Sequence, residues 1–132
     1  MSPERVTVHT DLAPEAIGPY SQAVRAGDLV FCSGQIPLEP SGSGLVGETP
    51  GEQATQCLRN LAAVAEAAGA RLDQAVRLTV YTTDLGAFAQ INEAYGAFFE
   101  GHDPPARAAV GVEALPKGAL VEIDAILHSP QR

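Results

Sequence analysis

Arg107 is the first residue of this sequence that suggests chemistry, because it stands alone among small apolar neighbours. The stretch PPARAAVGVEAL, residues 104–115, carries this one guanidinium and only one carboxylate, that of Glu113. A guanidinium stays charged when it is desolvated and can hold a carboxylate through two parallel hydrogen bonds. The segment therefore suggests a carboxylate-binding site. The alternative is an edge-strand arginine that reaches solvent or pairs with Glu113.

Glu122 is the second candidate, and it lies in the alternating stretch LVEIDAIL. In a strand this alternation puts Glu122 and Asp124 on the face opposite Val121 and Ile123. Two acids on the less apolar face usually belong to a wetted sheet surface. If that face lies at a subunit contact, a carboxylate there can act as a general base on water.

The remaining polar candidates give weaker signals. Tyr20 follows a Gly-Pro pair and is either a core tyrosine or a pocket-lining one. Asn92 lies beside the apolar stripe of a predicted helix and faces either solvent or a substrate. Ser21 and Ser33 lack the G-x-S-x-G elbow of many serine hydrolases, so a hydrolase triad is not expected.

No metal or cofactor is expected from the sequence. The three histidines show no ligand-like spacing with one another or with the two cysteines. The SGSG stretch is a flexible loop, because no lysine and capped helix follow it in the order of a phosphate-binding loop. The cysteines have no CxxC spacing, which favours buried reduced thiols.

The first elements that would position these residues are a hairpin and a helix. Strand-like segments at 21–26 and 29–35 flank a Gly-Asp turn, which predicts a β-hairpin, and VTVHT before them is a weak strand. Thr49, Pro50 and Glu52 form a capping-box pattern at a helix start. Apolar residues then recur at helical spacing until Gly69, which is placed to end the helix.

The second half predicts a strand, a helix and two further strands. Residues 75–83 alternate, and 106–112 and 120–127 are strand-like. Asp84 is placed to cap a helix whose apolar stripe contains Phe88, Ile91, Tyr95 and Phe98. Each helix lies between strands, so both can pack on the same side of one sheet. The other face then needs a cover, which predicts self-association.

The length and charge of the chain limit the classes of protein to which it can belong. The chain has 132 residues and a formal net charge of −8, so we expect one domain, 1–132. The basic residues are scattered, which disfavours nucleic acid and anionic membranes as partners. The beginning of the sequence has no apolar stretch of signal-peptide type, and we expect a cytoplasmic protein.

Six fragments distributed over nearly the whole chain form a recognisable series. The fragments are IGPYSQAV at 17–24, FCSGQIPL at 31–38, NLAAVAEAAG at 60–69, NEAYGAFF at 92–99, PPAR at 104–107 and LPKGALVEIDAI at 115–126. In this order and at this spacing, they resemble the RidA/YjgF family of imine deaminases.

The resemblance implies an α+β fold of the chorismate-mutase-like type. In this fold about six strands form one mixed β-sheet with two helices packed on one face. It also implies a homotrimer with a closed, barrel-like core and active sites in clefts between the subunits.

The implied activity is cofactor-free and metal-free hydrolysis of reactive 2-imino acids and their enamine tautomers. Substrates such as 2-iminobutanoate and 2-iminopropanoate, released by pyridoxal-phosphate-dependent dehydratases, would give 2-keto acids and ammonia. By resemblance Arg107 binds the substrate carboxylate and Glu122 orients or activates water. The resemblance also assigns substrate contacts, to Tyr20, Ser33, Gly34, Asn92 and Ala109.

Two features depart from the family pattern. Ala109 stands where many relatives carry cysteine, and the connection EGHDPPAR is shorter than usual. Two other readings stay open beside the deaminase. One is a non-catalytic module that binds 2-keto or imino acids through Arg107, and the other is the ribonuclease activity reported for some family members.

Overall fold

The computed structural model describes residues 5–130; residues 1–4 and 131–132 of the predicted domain 1–132 lie outside the described residues. The described chain forms one six-stranded sheet and two α-helices. The strands are β1 (Val6–Val8), β2 (Ala23–Ala26), β3 (Leu29–Gln35), β4 (Ala75–Thr82), β5 (Ala106–Gly111) and β6 (Val121–His128). The helices are α1 (Pro50–Ala67) and α2 (Phe88–Phe98).

The sheet is mixed, as predicted, and its strand order is β1-β2-β3-β6-β4-β5. All neighbouring pairs are antiparallel except β4 and β5, which are parallel. The predicted hairpin is present, but β2 begins at Ala23, two residues later than predicted. The pairing of β3 with β6 shifts register between Cys32 and Gln35. β5 is therefore an edge strand, and β4 separates it from β6.

Both helices pack on one face of the sheet, as predicted. Val121, Ile123 and Leu127 of β6 are fully buried on that face, in the same core cluster as residues of α1 and α2. Within residues 5–130 neither helix is both long and apolar enough to cross a membrane.

The opposite face of the sheet is partly apolar and is not covered by either helix. Phe31 of β3 is 44% exposed there, and Leu29 on the same strand is 36% exposed. Exposed apolar area of this kind usually marks an interaction surface. Self-association through this face stays a prediction.

The start of α1 confirms the capping box. The Thr49 hydroxyl accepts the Glu52 N–H at 3.2 Å, and Glu52 Oε1 accepts the N–H groups of Thr49 at 3.3 Å and Glu48 at 2.9 Å. The start of α2 differs from the prediction. Asp84 caps a short 3-10 turn at Leu85–Ala87, and the α-helix begins only at Phe88.

Replacing Thr49 tests the capping box. Thr49→Ala removes the acceptor of the Glu52 N–H, so the free energy of unfolding should fall by about 1 kcal/mol. Urea denaturation measures this loss. Thr49→Ser keeps the oxygen and should stay within ~0.5 kcal/mol of the wild type. An equal loss in both variants would contradict a role for the hydroxyl.

Candidate active site

Arg107 lies on β5 at the edge of the sheet, on the face that carries the helices. Its parallel partner on β4 is Leu78, which is fully buried under those helices. The Arg107 Nη1 donates a hydrogen bond of 2.8 Å to Asn92 Oδ1. Its guanidinium carbon lies 5.1 Å from the ring centre of Phe88 and 4.8 Å from that of Tyr95.

Helix α2 builds this arginine site through its spacing. Phe88, Asn92 and Tyr95 lie four and three residues apart, which puts all three on one side of the helix. Two ring faces attract the guanidinium through cation–π contacts, and the amide orients one of its nitrogens. The Asn92 side chain therefore orients Arg107 by accepting this hydrogen bond. The sequence pattern predicted Phe88 and Tyr95 only as members of the apolar stripe. The signal for their role beside Arg107 was the spacing of an amide between two aromatic residues.

The positive charge of Arg107 is held without an anion. Among residues 5–130, no carboxylate forms an ion pair with Arg107, which is exposed at the sheet edge. The pairing with Glu113 that the sequence left open is thus not formed. Ala109, two residues further on the same face of β5, adds no bulk beside the guanidinium. The arrangement leaves hydrogen-bond donors available for an external carboxylate.

Glu122 lies in a cavity of about 300 Å³ on the uncovered side of the sheet. The cavity brings together Tyr20, Ser33, Gly34 and Glu122, which the family resemblance had grouped as site residues. Its other lining residues are apolar and were missed by the sequence analysis: Ile17, Ile36 and Pro116.

Gly34 is required by the approach of Glu122. A Cβ atom added at Gly34 would lie 2.9 Å from Cδ of Glu122 and would overlap its carboxylate oxygen Oε2. The pairing of β3 with β6 shifts register at this point, between Cys32 and Gln35. The carboxylate can therefore lie against the backbone of β3 only because position 34 has no side chain.

The environment of Glu122 opposes its negative charge. Burial raises the pKa of Glu122, and the nearby charge of Asp124 raises it further. Asp124 itself accepts a hydrogen bond of 3.2 Å from the Tyr81 hydroxyl. A carboxyl group whose pKa is raised exchanges protons more readily near neutral pH, which suits a general base that must also return a proton.

Two hydroxyl groups of the cavity are held in defined orientations. Ser33 Oγ donates to the Ser21 carbonyl at 2.6 Å, so Ser33 can only accept a further hydrogen bond. The Tyr20 hydroxyl accepts the Ile17 N–H at 3.2 Å, and its own proton can still be donated. The cavity thus offers one acceptor, one donor and one titratable carboxyl group.

A single chain does not bring Arg107 and Glu122 together. Arg107 pairs with Leu78 and lies on the helix side, whereas Glu122 pairs with Tyr81 and faces the uncovered side. Only Asn92 and Ala109 accompany Arg107, and the other predicted site residues accompany Glu122. Within residues 5–130 no group of three or more histidine, cysteine, aspartate or glutamate side chains is placed to hold a metal ion.

The chain is similar to known proteins over nearly its whole length. Residues 10–129 match the family model described as endoribonuclease L-PSP. The protein DfrA of Myxococcus xanthus is 52% identical over 127 residues, which cover 95% of this chain and 96% of that protein. The 2-iminobutanoate/2-iminopropanoate deaminase of Salmonella typhimurium is 47% identical over 122 residues, covering 91% and 94%. The chain belongs to the RidA/YjgF family.

The fold agrees with this membership. The crystal structure of RidA from the Antarctic bacterium Psychrobacter has a TM-score of 0.86 and 47% sequence identity, and the match covers 93% of this chain and 98% of that one. The mixed six-stranded sheet with two helices is thus the RidA fold, as the resemblance had predicted.

The raised pKa of Glu122 predicts a pH-dependent gain in stability for Glu122→Gln. The folded state opposes the charge, so the contribution that protonated Glu122 makes to stability is lost as pH rises through the raised pKa. The variant should therefore melt at a higher temperature than the wild type at neutral pH. The difference in melting temperature should vanish below pH 4.5, the ordinary pKa of the group, because Glu122 is then protonated in both the folded and the unfolded wild type.

Thermal unfolding followed by circular dichroism across this pH range measures the difference. Glu93→Gln, at an exposed position within α2, is the matched control, since it removes one negative charge from the same acidic chain. An equal gain for Glu93→Gln would assign the effect to net charge, and burial of Glu122 would not be its cause.

Proposed function

We propose that this protein hydrolyses 2-imino acids and their enamine tautomers to 2-keto acids and ammonia in the cytoplasm. The substrates would include 2-iminobutanoate and 2-iminopropanoate. The observation that carries the proposal is Arg107, whose guanidinium is fixed by three side chains of α2 yet lacks a carboxylate partner among residues 5–130. The name of the relative from Salmonella typhimurium supports the same reaction.

The opposite positions of Arg107 and Glu122 lead to a site shared between two copies of the chain. The uncovered face carries Glu122 together with exposed apolar residues, and a second copy that covers this face could bring its own edge strand β5 to the cavity. Closed cyclic assembly repeats such a contact until every copy has donated and received one. We propose a homotrimer with a barrel-like core and three shared sites.

Substrate binding in the shared site follows from the donors and acceptors present. Arg107 of one copy binds the carboxylate through two parallel hydrogen bonds. Tyr20 and Ser33 of the other copy offer a donor and an acceptor to the polar end of the substrate. The apolar walls at Ile17, Ile36 and Pro116 suit a short aliphatic side chain. The imine carbon is then held beside Glu122.

Hydrolysis needs one proton acceptor that later acts as a donor. The oxygen of a water molecule bonds to the imine carbon while Glu122 takes a proton from the water. The electron pair of the C=N bond moves to nitrogen, and Glu122 delivers the proton of the water to that nitrogen, which gives a carbinolamine. Glu122 then takes the proton of the carbinolamine hydroxyl group and passes it to the nitrogen. The C–N bond breaks, ammonia leaves, and the C–O bond becomes the carbonyl of the 2-keto acid.

Two effects would contribute to the acceleration of imine hydrolysis in the proposed site. General acid–base catalysis by one positioned carboxyl group contributes about 10²–10⁴-fold. Holding the substrate carboxylate at Arg107 adds a positioning term, because a bound imine needs less reorientation before attack. No further group is required for the balance of atoms and charge.

The description of the matching family model favours ribonuclease activity as a second candidate. Binding of the polyanionic RNA backbone normally depends on clustered lysine and arginine residues, whereas this chain has a net charge of −8 and scattered basic residues. A pure binding module remains the other alternative, since Arg107 alone would suffice to hold a 2-keto acid.

Loss of Arg107 tests the enzymatic proposal directly. A threonine dehydratase supplies 2-iminobutanoate, and formation of 2-ketobutyrate is followed with and without this protein. For Arg107→Ala, kcat/KM should fall by at least about 30-fold, the effect of losing ~2 kcal/mol of a charged contact. Arg59→Ala, at an exposed position of α1, should behave as the wild type.

Two further measurements, binding of 2-ketobutyrate and cleavage of RNA, separate the three candidates when they are combined with this assay. A wild-type protein that binds 2-ketobutyrate without accelerating its formation would favour the binding module and refute the deaminase. RNA cleavage that weakens steeply with added salt would favour the ribonuclease.

Subunit mixing tests the shared site. Arg107→Ala and Glu122→Gln proteins should each be inactive, but a mixture unfolded and refolded together should recover about a quarter of the wild-type activity. The reason is that about three quarters of random trimers contain both variants, and each of these has one intact site in three. Recovery fails if Arg107 and Glu122 of the same chain form one site, because every site then lacks one of them.

A further inference from the structure

We propose that Gln22 is a positioning residue for the active-site cavity and that it determines substrate affinity by holding the loop that forms one cavity wall. This inference rests on the proposed function for its kinetic part. Gln22 directly precedes β2, does not line the cavity, and is only 2% exposed.

The Gln22 amide joins two separate parts of the chain. Its Oε1 accepts the Thr10 N–H at 2.7 Å. Its Nε2 donates to the carbonyl oxygens of Thr10 at 3.1 Å, Pro14 at 2.8 Å and, at the longer distance of 3.4 Å, Ala13. One side chain thereby satisfies both backbone groups of Thr10 and the end of loop 10–14.

We call the hydrogen bonds between the Gln22 amide and loop 10–14 the clamp. The clamped loop leads directly into the cavity wall. Three residues after Pro14 the chain reaches Ile17, and then Tyr20, both of which line the cavity of Glu122. Pro14 itself lines a smaller crevice next to Tyr20 and Gly34. Loop 10–14 belongs to no strand or helix, so the Gln22 amide replaces the backbone ladder that would otherwise fix it.

The backbone of Gln22 holds the neighbouring wall as well. Its carbonyl oxygen accepts the Ser33 N–H at 2.9 Å, just where β3 leaves its regular pairing. Ser33 in turn donates its hydroxyl proton to the Ser21 carbonyl. The segment Ser21–Gln22 therefore links the wall of Ile17 and Tyr20 to that of Ser33 and Gly34.

Glutamine is suited to this position because the site needs an acceptor and two donors on one uncharged group. An aliphatic residue of similar size would leave buried carbonyl and N–H groups of the loop unpaired. A glutamate would keep the acceptor but turn a second oxygen toward the carbonyls of Thr10 and Pro14.

The clamp should affect substrate binding more than proton transfer. Glu122 is held by β6, which pairs on both sides with β3 and β4 and does not depend on loop 10–14. Ile17 and Tyr20, by contrast, lie in a segment between loop 10–14 and β2 that belongs to no strand or helix. The N-terminal side of this wall is therefore held through loop 10–14. Loosening it removes binding contacts while the carboxyl group keeps its place.

Arg25, on the strand that directly follows Gln22, offers a matched control. Its guanidinium also makes four hydrogen bonds: to the carbonyl oxygens of Gly27, Ser129 and Ala68, and to the Ser129 hydroxyl. These partners lie at the opposite end of β2 and do not line the cavity. Arg25→Met and Gln22→Met therefore remove equal numbers of bonds at different distances from the site.

The experiment compares both variants in three measurements: thermal unfolding, hydrogen exchange by mass spectrometry, and kinetics with 2-iminobutanoate generated in solution. Both variants should melt at lower temperature. In Gln22→Met, amides of residues 10–20 should exchange at least about tenfold faster, because their opening no longer breaks the clamp. KM should rise roughly tenfold while kcat stays within about threefold. Arg25→Met should leave exchange at 10–20 and KM unchanged.

A merely structural role for Gln22 predicts a different result. Gln22→Met would then match Arg25→Met, with a lower melting temperature, unchanged exchange at residues 10–20 and unchanged KM, and the proposal would be overturned. If Gln22→Met does not fold, Gln22→Asn replaces it; this variant keeps an uncharged amide on a shorter side chain and should show the same changes with smaller amplitude. Failure of both to fold would equally overturn a local positioning role.

The exchange measurement also separates this inference from the proposed function. If the wild type does not hydrolyse imino acids, the deaminase proposal fails, but faster exchange confined to residues 10–20 still supports the clamp. If the wild type is active and exchange at 10–20 is unchanged in Gln22→Met, only the clamp is refuted.

Discussion

The candidate site depends on the contacts that hold the Arg107 guanidinium in place without neutralising its positive charge. Two aromatic rings and one amide of α2 determine where the guanidinium lies, and none of them neutralises it. Cation–π contacts and a neutral hydrogen bond keep the charge available, whereas a carboxylate partner would occupy the donors that a ligand needs. The second helix thus has a role in the site as well as in the core.

The cavity of Glu122 follows the opposite electrostatic principle. Here a carboxyl group is partly buried beside a second acid, so its charge is disfavoured, and Gly34 lets it approach the backbone of β3. A carboxyl group whose ionisation is opposed lowers stability at neutral pH, and groups with such perturbed pKa values concentrate at functional sites. That Arg107 and Glu122 lie on opposite faces of one sheet explains why a second copy of the chain is needed to complete the proposed site.

Much of the fold could be predicted from local patterns. The capping box at Thr49, the alternation around Glu122 and the stripe on the second helix each depend on a few neighbouring residues, and each appears in the structure. The 3-10 turn before α2 could not be read in this way, because Asp84 is an equally good cap for a 3-10 turn and for an α-helix. The apolar cavity walls were missed for a related reason, since Ile17, Ile36 and Pro116 come from distant segments.

The sequence by itself determined which groups are available: a lone guanidinium at Arg107, a carboxyl group at Glu122 on the polar face of its strand, and family motifs around both. Only the tertiary structure decided which face of the sheet each one uses, and that Phe88 and Tyr95 support the arginine. The physical reason is that alternation along a strand shows which residues share a face. Which face the helices cover, and which strand lies at the edge, are set by pairing between residues far apart in the chain.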